Sequence, residues 1–149
     1  MRIDRYCNRN VVTVTRRATV LEAANLMRHN HVGDVIIVDE FDGGRMPIGI
    51  VTDRDIVIGI VAAGLDPEVM TVSDLMLAPL VVADETADYG ETVRAMCAKG
   101  VRRIPVVNAA GSLVGIVTLD DLLRQLVAPL AELAQVSARE RRHEAEVRR

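Results

Sequence analysis

The chain has 149 residues, of which half are hydrophobic and 2% aromatic, and its formal net charge is −3 at pH 7. The mixed charges and scarce aromatic side chains exclude a nucleic-acid surface that needs a basic field or exposed stacking faces. Charged residues interrupt every apolar run before the roughly 18 residues that a membrane span needs. The two cysteines lack CxxC spacing, and no signal peptide is recognised. We therefore expect a cytoplasmic protein with reduced thiols and with neither membrane nor nucleic acid as a partner.

The first part of the chain alternates strand and helix patterns. In order, we expect a strand at 11–15, a helix opened by a capping box of Thr19 and Glu22, a strand at 35–38, a hairpin turn at 39–47, a strand at 48–51 and a helix at 53–63. Gly64 then stands where a glycine commonly ends a helix.

The second part repeats this order after a linker at Asp66-Pro67. The expected elements are a short helical approach at 72–76, a strand at 80–82, a helix opened by Asp88 and Glu91, a strand at 104–107, a turn at 108–112, a strand at 113–117 and a helix at 120–126. Residues before the hairpin recur 69 positions later, as Met27 and Met96 do. Each half, at about 60 residues, buries little surface alone. We expect a pseudo-two-fold pair with sheet packed on sheet.

The sequence Gly-Ile-Val-Thr-x-x-Asp occurs twice, 66 positions apart, beginning at residues 49 and 115. Each copy ends a strand and begins a helix, and Thr52 with Asp55, like Thr118 with Asp121, has capping-box spacing. Two interpretations stay open from spacing alone. The pairs either only cap their helices, or they also hold an anion or a hydroxyl at the positive end of the helix. Arg54 is similarly compatible with a phosphate contact or with a solvated charge.

The repeated order, the two Gly-Ile-Val-Thr-x-x-Asp copies and the run Arg102-Arg103-Ile104-Pro105-Val106-Val107 resemble a tandem pair of cystathionine-β-synthase (CBS) domains. This pair is also called a Bateman module, here of the stand-alone bacterial kind, and the resemblance covers roughly Arg5 to Leu126. It implies an α/β (α+β) fold of two pseudo-two-fold related repeats, each a small sheet with two flanking helices. The repeats would occupy residues 5–66 and 67–127, before a charged helical tail at 128–149.

The resemblance implies a regulatory sensor rather than an enzyme. Such modules bind an adenosyl ligand (AMP, ADP, ATP, NAD or S-adenosylmethionine) in clefts between the repeats and signal to a regulated partner. No catalytic cofactor is expected, and a homodimer is. The implied ligand-binding residues are Asp55 and Asp121 at ribose, Thr52 and Thr118 at ribose or phosphate, Thr13, Val14 and Val82 beside adenine, Val35, Ile37, Ile104 and Val106 through backbone groups, and Arg54, Arg102 and Arg103 at phosphate.

The two halves differ near the expected phosphate position. The second half offers Arg102 and Arg103, whereas the first has Gly33 and Asp34 at the equivalent positions. Because a guanidinium attracts a phosphate and a carboxylate repels it, we expect the Asp121 site to bind a phosphorylated ligand more tightly than the Asp55 site.

A second class of function stays open from the residues. The clefts could be closed by side chains, leaving a structural protein–protein interaction module without a ligand. His29 and His31 have neither i, i+4 spacing nor a third ligand nearby, so no metal site is expected. Cys97 is expected to be buried. The last helix is expected to kink or restart at Pro129 and to fray into a solvated, charged end.

Overall fold

The computed structural model describes residues 1–148, which fall into two compact units, Met1–Val117 and the segment that begins at Thr118. The strands and helices in chain order are β1 (Thr13–Val14), α1 (Val20–Asn30), β2 (Asp34–Phe41), β3 (Gly44–Thr52), α2 (Asp53–Ile56), β4 (Ala83–Asp84), α3 (Tyr89–Lys99), β5 (Arg103–Val107), β6 (Leu113–Thr118) and α4 (Leu119–Val147). No helix within residues 1–148 is both long enough and apolar enough to cross a bilayer.

Residues 1–148 contain two three-stranded sheets, ordered β1-β2-β3 and β4-β5-β6. In the first sheet β1 runs parallel to β2, with Thr13 opposite Ile36, and β2 forms an antiparallel hairpin with β3. In the second sheet β4 runs parallel to β5, with Ala83 opposite Val106. The expected α/β fold of two repeats, each with a small sheet, is confirmed.

Strand β2 is buried on both faces. Val35 and Ile37 pack into a cluster with side chains of α1, whereas Ile36 and Val38 pack into a second cluster with side chains of β6. Successive side chains of a strand point to opposite faces. One face of β2 therefore packs against helix α1, and the other face packs against the second sheet. The expected packing of sheet on sheet is therefore present in the first unit.

The segments that precede the two repeats cross to the other repeat. We call residues 1–8 the first arm and residues 70–77 the second arm. The first arm lies against the second repeat, where the N–H of Ile3 donates to the carbonyl of Ala87 at 2.8 Å. The arm therefore belongs in space to the repeat that follows later in the chain.

The second arm makes the equivalent contacts with the first repeat. The N–H of Val72 donates to the carbonyl of Ala18 at 2.9 Å, and the N–H of Val20 donates to the carbonyl of Met70 at 2.9 Å. Val72 is fully buried in the cluster that contains α1. Each repeat thus completes its core with the other repeat's arm.

The glycine of each Gly-Ile-Val-Thr-x-x-Asp copy lies so close to an arm that there is no room for a side chain. A Cβ added to Gly49 would lie 3.0 Å from Cγ of Met76, and one added to Gly115 would lie 2.8 Å from Sγ of Cys7. These distances are at or below the closest approach of real Cβ atoms. Met76 follows Cys7 by 69 positions, so the close approach recurs in both repeats.

Helix α2 is short. After Asp53–Ile56 the chain continues as a π-helical turn, Val57–Val61, and Gly64 has a φ of +69°. The expected helix at 53–63 is thus a composite of two helix types. The left-handed conformation of Gly64 agrees with its expected place at the end of this segment.

Several expected boundaries are wrong. The strand at 80–82 lies instead at Ala83–Asp84, and the strand at 11–15 shortens to Thr13–Val14. Both are parallel edge strands, so the neighbouring strand and not local propensity decides which residues pair. Cys97 was expected to be buried and is exposed.

Helix α4 continues through Pro129 without interruption. It runs as one 29-residue helix from Leu119 to Val147 with Pro129 inside it, so the expected restart at Pro129 and the fraying after it are wrong. Proline removes one backbone hydrogen bond, but Ala, Leu, Gln, Glu and Arg dominate on both sides and favour helix.

Candidate functional site

A cavity of about 220 Å³ lies at the start of α2, and we call it the Asp55 cavity. The chain between the repeats supplies most of its wall, while β3 and the second repeat supply the rest. Its lining residues are Gly49, Ile50, Asp55, Leu75, Met76, Leu77, Ala78, Pro79, Leu80, Val81, Val101 and Arg103. The cavity is mostly apolar with two charged side chains, a composition common in small-molecule sites.

Asp55 uses one carboxylate oxygen for capping. The N–H of Thr52 donates to Oδ2 of Asp55 at 2.9 Å, and the N–H of Asp55 donates to Oγ1 of Thr52 at 3.1 Å. Within residues 1–148 no hydrogen bond reaches Oδ1 of Asp55. The two interpretations of this motif are therefore compatible, since capping uses one carboxylate oxygen of a residue that lines the cavity and leaves the other as an acceptor.

Arg103 reaches the same cavity and forms an ion pair with Asp34. Its Nη1 lies 3.0 Å from Oδ1 of Asp34, and the two side chains are 28% and 18% exposed. The residues stand 69 positions apart, so they are equivalent in the two repeats. The sequence predicts that Arg103 lies near Asp121, because both belong to the second half. The structure corrects this grouping, because Arg103 lines the cavity that contains Asp55.

Burial dominates the electrostatics of Asp34. Removal from water raises the pKa of this carboxyl above its ordinary value, and the nearby charge of Asp53 raises it further. The guanidinium of Arg103 lowers the same pKa but does not offset the burial. The ion pair therefore holds a carboxylate in a place that disfavours its charge.

The second motif copy has the same capping box, but the other carboxylate oxygen of its aspartate also has a partner. The N–H of Thr118 donates to Oδ2 of Asp121 at 3.0 Å, and the hydroxyl of Thr118 donates to the same oxygen at 2.8 Å. Oδ1 of Asp121 lies 3.6 Å from Nη1 of Arg124 on the same helix. Both oxygens of Asp121 thus have partners within α4 and its cap, in contrast to Asp55.

Four of the predicted ligand-binding residues are core residues. Val35, Ile37, Ile104 and Val106 have no exposed surface, and they lie within β2 and β5. The structure does not bring them to the lining of the Asp55 cavity. Their apolar runs are explained by burial on both faces of a strand.

Thr13 and Val14 also lie away from the Asp55 cavity. The hydroxyl of Thr13 accepts a hydrogen bond of 2.9 Å from Nη1 of Arg45. Val14 lines an open groove of about 1010 Å³ along α1, together with His29 and His31. Residues 1–148 contain no group of three histidine, cysteine or acidic side chains placed to hold a metal ion.

The remaining predicted residues flank the site. Val82 is 45% exposed and directly follows the wall of the cavity. Arg54 and Arg102 are exposed and do not line the cavity. The wall at 75–81 is not predicted from the sequence, because local patterns divide this segment between a helical approach and a strand. The feature of the sequence that could have indicated this wall is Gly49, because the absence of a Cβ there leaves room for Met76.

A search against protein families matches the CBS domain at residues 3–62 and 72–128. The chain belongs to the CBS domain family. The two matched segments correspond to the two repeats, and the second match ends inside α4, which continues to Val147.

Relatives share most of this chain. An uncharacterized protein of Methanopyrus kandleri is 38% identical over 133 residues, which are 87% of this chain and 66% of that protein. The crystal structure of hypoxic response protein I with two coordinated zinc ions has 35% identity and a TM-score of 0.73, covering 83% of this chain and 98% of that one. A CBS domain protein from Pyrobaculum aerophilum complexed with AMP has 26% identity and a TM-score of 0.77, covering 91% of this chain and all of that one.

Proposed function

We propose that this protein is a regulatory sensor that binds an adenosyl ligand in the Asp55 cavity. The observation that carries the proposal is the open Oδ1 of Asp55 in a mostly apolar cavity that also contains Arg103. The AMP complex of the P. aerophilum relative supports the ligand class. The role is regulatory and not enzymatic, and the expected cytoplasmic location stays a prediction.

Each part of a nucleotide has a complementary group in the cavity. A carboxylate oxygen can accept hydrogen bonds from both ribose hydroxyls, and such charge-assisted bonds are stronger than neutral ones. The guanidinium of Arg103 can pair with a phosphate, and the apolar wall at 75–81 can cover a base. Sites for drug-sized ligands usually measure about 300–1,000 Å³. A cavity of about 220 Å³ therefore favours a mononucleotide such as AMP over NAD.

This assignment reverses the expected order of the two motif copies. The sequence predicts tighter binding at Asp121, because Arg103 belongs to the same half of the chain. With Arg103 at the Asp55 cavity and Arg124 beside Asp121, we now assign the tighter phosphate-dependent binding to Asp55.

Titration calorimetry with AMP tests the proposal through Asp55→Asn. The amide oxygen can still accept from the N–H of Thr52 and so keeps the cap, but the amide nitrogen cannot accept a ribose hydroxyl. We expect binding to weaken at least about 10-fold, since a hydrogen bond to a charged group contributes about 1.5–3 kcal/mol. Asp42→Asn, in the exposed hairpin turn, removes the same charge elsewhere and serves as the control. Unchanged affinity in Asp55→Asn would refute the assignment.

The signal is proposed to pass through a homodimer to a regulated partner protein. The turn after α2 exposes Val57, Ile58 and Val61 by 55%, 53% and 68%. Aliphatic side chains exposed together are typical of interaction surfaces. The same observation favours the second candidate function, an interaction module without a ligand. A protein that dimerises but binds neither AMP nor S-adenosylmethionine in calorimetry would support that second function.

A further inference from the structure

Helix α4 carries an exposed row of large aliphatic side chains. Every residue from 123 to 148 is exposed. The large aliphatic members between residues 123 and 136, with 44–67% exposure, are Leu123, Leu126, Val127, Leu130, Leu133 and Val136, and we call them the α4 stripe. Val147, which is 68% exposed, lies apart from them near the end of the helix.

The spacing of the leucines is that of a coiled coil. Leu123, Leu126, Leu130 and Leu133 follow one another by three, four and three residues, the a and d positions of a heptad repeat. Leu130, Leu133 and Val136 lie beyond residue 128, where the CBS match ends. The stripe therefore extends past the part of the chain that the repeat accounts for.

The exposed area of the stripe is large enough for a dimer. Six side chains that are about half exposed present roughly 600 Å² per helix, so two facing copies would bury about 1,200 Å², the lower limit of stable specific interfaces. Soluble monomers seldom expose an apolar patch above about 600 Å². A partner with an identical stripe covers both surfaces at once, as a two-fold interface does.

We propose that the α4 stripe binds the α4 stripe of a second copy of this chain, with the two helices antiparallel. In that orientation Leu123 stands opposite Leu133 of the second copy, and Leu126 stands opposite Leu130. All four leucine layers are then matched around a two-fold axis near Ala128. The overlap ends close to Ser137, where the apolar pattern ends.

Charge decides against the parallel orientation. Continuing the heptad beyond Leu133 places Glu140 and Glu144 at inward positions. In a parallel pair each of these carboxylates would face its own copy, and like charges at such positions are destabilising. An antiparallel pair carries them past the end of the overlap.

The inference rests on the proposed homodimer but names a surface other than the turn after α2. Analytical ultracentrifugation of the full chain at micromolar concentration tests both. The test variant is Leu130→Glu with Leu133→Glu, and the control is Ala131→Glu with Ala138→Glu, which adds the same charge on another side of the helix. All four positions are exposed.

We expect the wild type and the control to be dimers. In the leucine variant the dimer dissociation constant should rise at least about 100-fold, because each buried interface leucine contributes in both copies. Circular dichroism should show an unchanged helix content in both variants. A leucine variant that dimerises like the wild type would overturn the stripe inference and leave the homodimer proposal standing, whereas a monomeric wild type would overturn both.

Disulfide crosslinking tests the orientation. In a background with Cys7→Ala and Cys97→Ala, Leu133→Cys alone should give little crosslinked dimer. A mixture of the Leu133→Cys and Leu123→Cys chains should give a mixed disulfide readily. Efficient crosslinking of Leu133→Cys with itself would show parallel helices and overturn the antiparallel assignment.

Discussion

The ion pair between Arg103 and Asp34 predicts how binding affinity depends on the charge of the ligand. If Arg103 contacts a phosphate in the Asp55 cavity, Arg103→Gln should weaken the binding of AMP and leave the binding of adenosine unchanged. Asp34→Asn should strengthen the binding of AMP, because Arg103 would no longer be shared with a competing carboxylate. Neither effect is expected if Arg103 only supports the wall of the cavity.

The magnitudes follow from distance and exposure. At about 5 Å and an effective dielectric of 20–40, a guanidinium and a phosphate charge attract by about 1.5–3 kcal/mol. Because Arg103 is 28% exposed, we take the lower value, which corresponds to about 10-fold in affinity. The carboxylate of Asp34 lies one ion-pair distance farther away, and at about 8 Å its repulsion is about 1 kcal/mol, or roughly 5-fold.

Calorimetric titration of both variants with AMP and with adenosine gives the four required affinities. Arg102→Gln is the matched control, because this neighbouring arginine is exposed and does not line the cavity. Thermal melts establish that each variant is folded at the titration temperature, since removing Arg103 leaves Asp34 without its partner. Equal losses for AMP and adenosine in Arg103→Gln would refute the phosphate contact. Weaker AMP binding in Asp34→Asn would show instead that Asp34 holds Arg103 in a productive position.

Two further predictions concern stability. Burial raises the pKa of Asp34 in the folded protein, so the folded state binds this proton more tightly than the unfolded state does. The protonated carboxyl therefore stabilises the fold fully below about pH 4, the ordinary pKa of an aspartate, and this stabilisation is lost as the pH rises through the pKa of the folded state. The free energy of unfolding of the wild type, relative to Asp34→Asn, should therefore decline as the pH rises above about 4 in urea titrations, and a constant difference would contradict the raised pKa. Residues 137–148 are all exposed, so after truncation at Val136 the melting temperature should stay within a few degrees and the chain should still dimerise. A large drop in melting temperature would show that the tail packs against another part of the protein.

Local patterns in the sequence predicted local structure well. The capping boxes at Thr19, Thr52, Asp88 and Thr118 are all present in the structure. A capping box depends on residues three positions apart, and a repeat in register adds independent support for each element. The order of strands and helices followed from these local signals, whereas the CBS family was indicated by the resemblance of the repeated motifs.

The composition of the site required long-range information. In the sequence Asp55 and Arg103 belong to different halves, and they are therefore predicted to lie in different sites. The exchange of the arms brings residues 75–81 and the second repeat to the Asp55 cavity. No local propensity encodes such an exchange, since it depends on contacts between residues far apart in the chain, such as Val72 and Ala18. The glycine at position 49, which leaves room for Met76, is the residue in the sequence that reflects this long-range contact.

The exchanged arms also determine how the chain can be divided. A cut between residues 64 and 69 would release two fragments, each carrying the arm that completes the other fragment's core. Each fragment alone lacks the arm that covers its core, so apolar side chains that are buried in the full chain would be exposed to solvent. The exchange is geometrically that of a domain-swapped dimer, with the linker joining the two halves in one chain. Neither repeat can therefore be deleted or replaced without removing a segment that packs on the other.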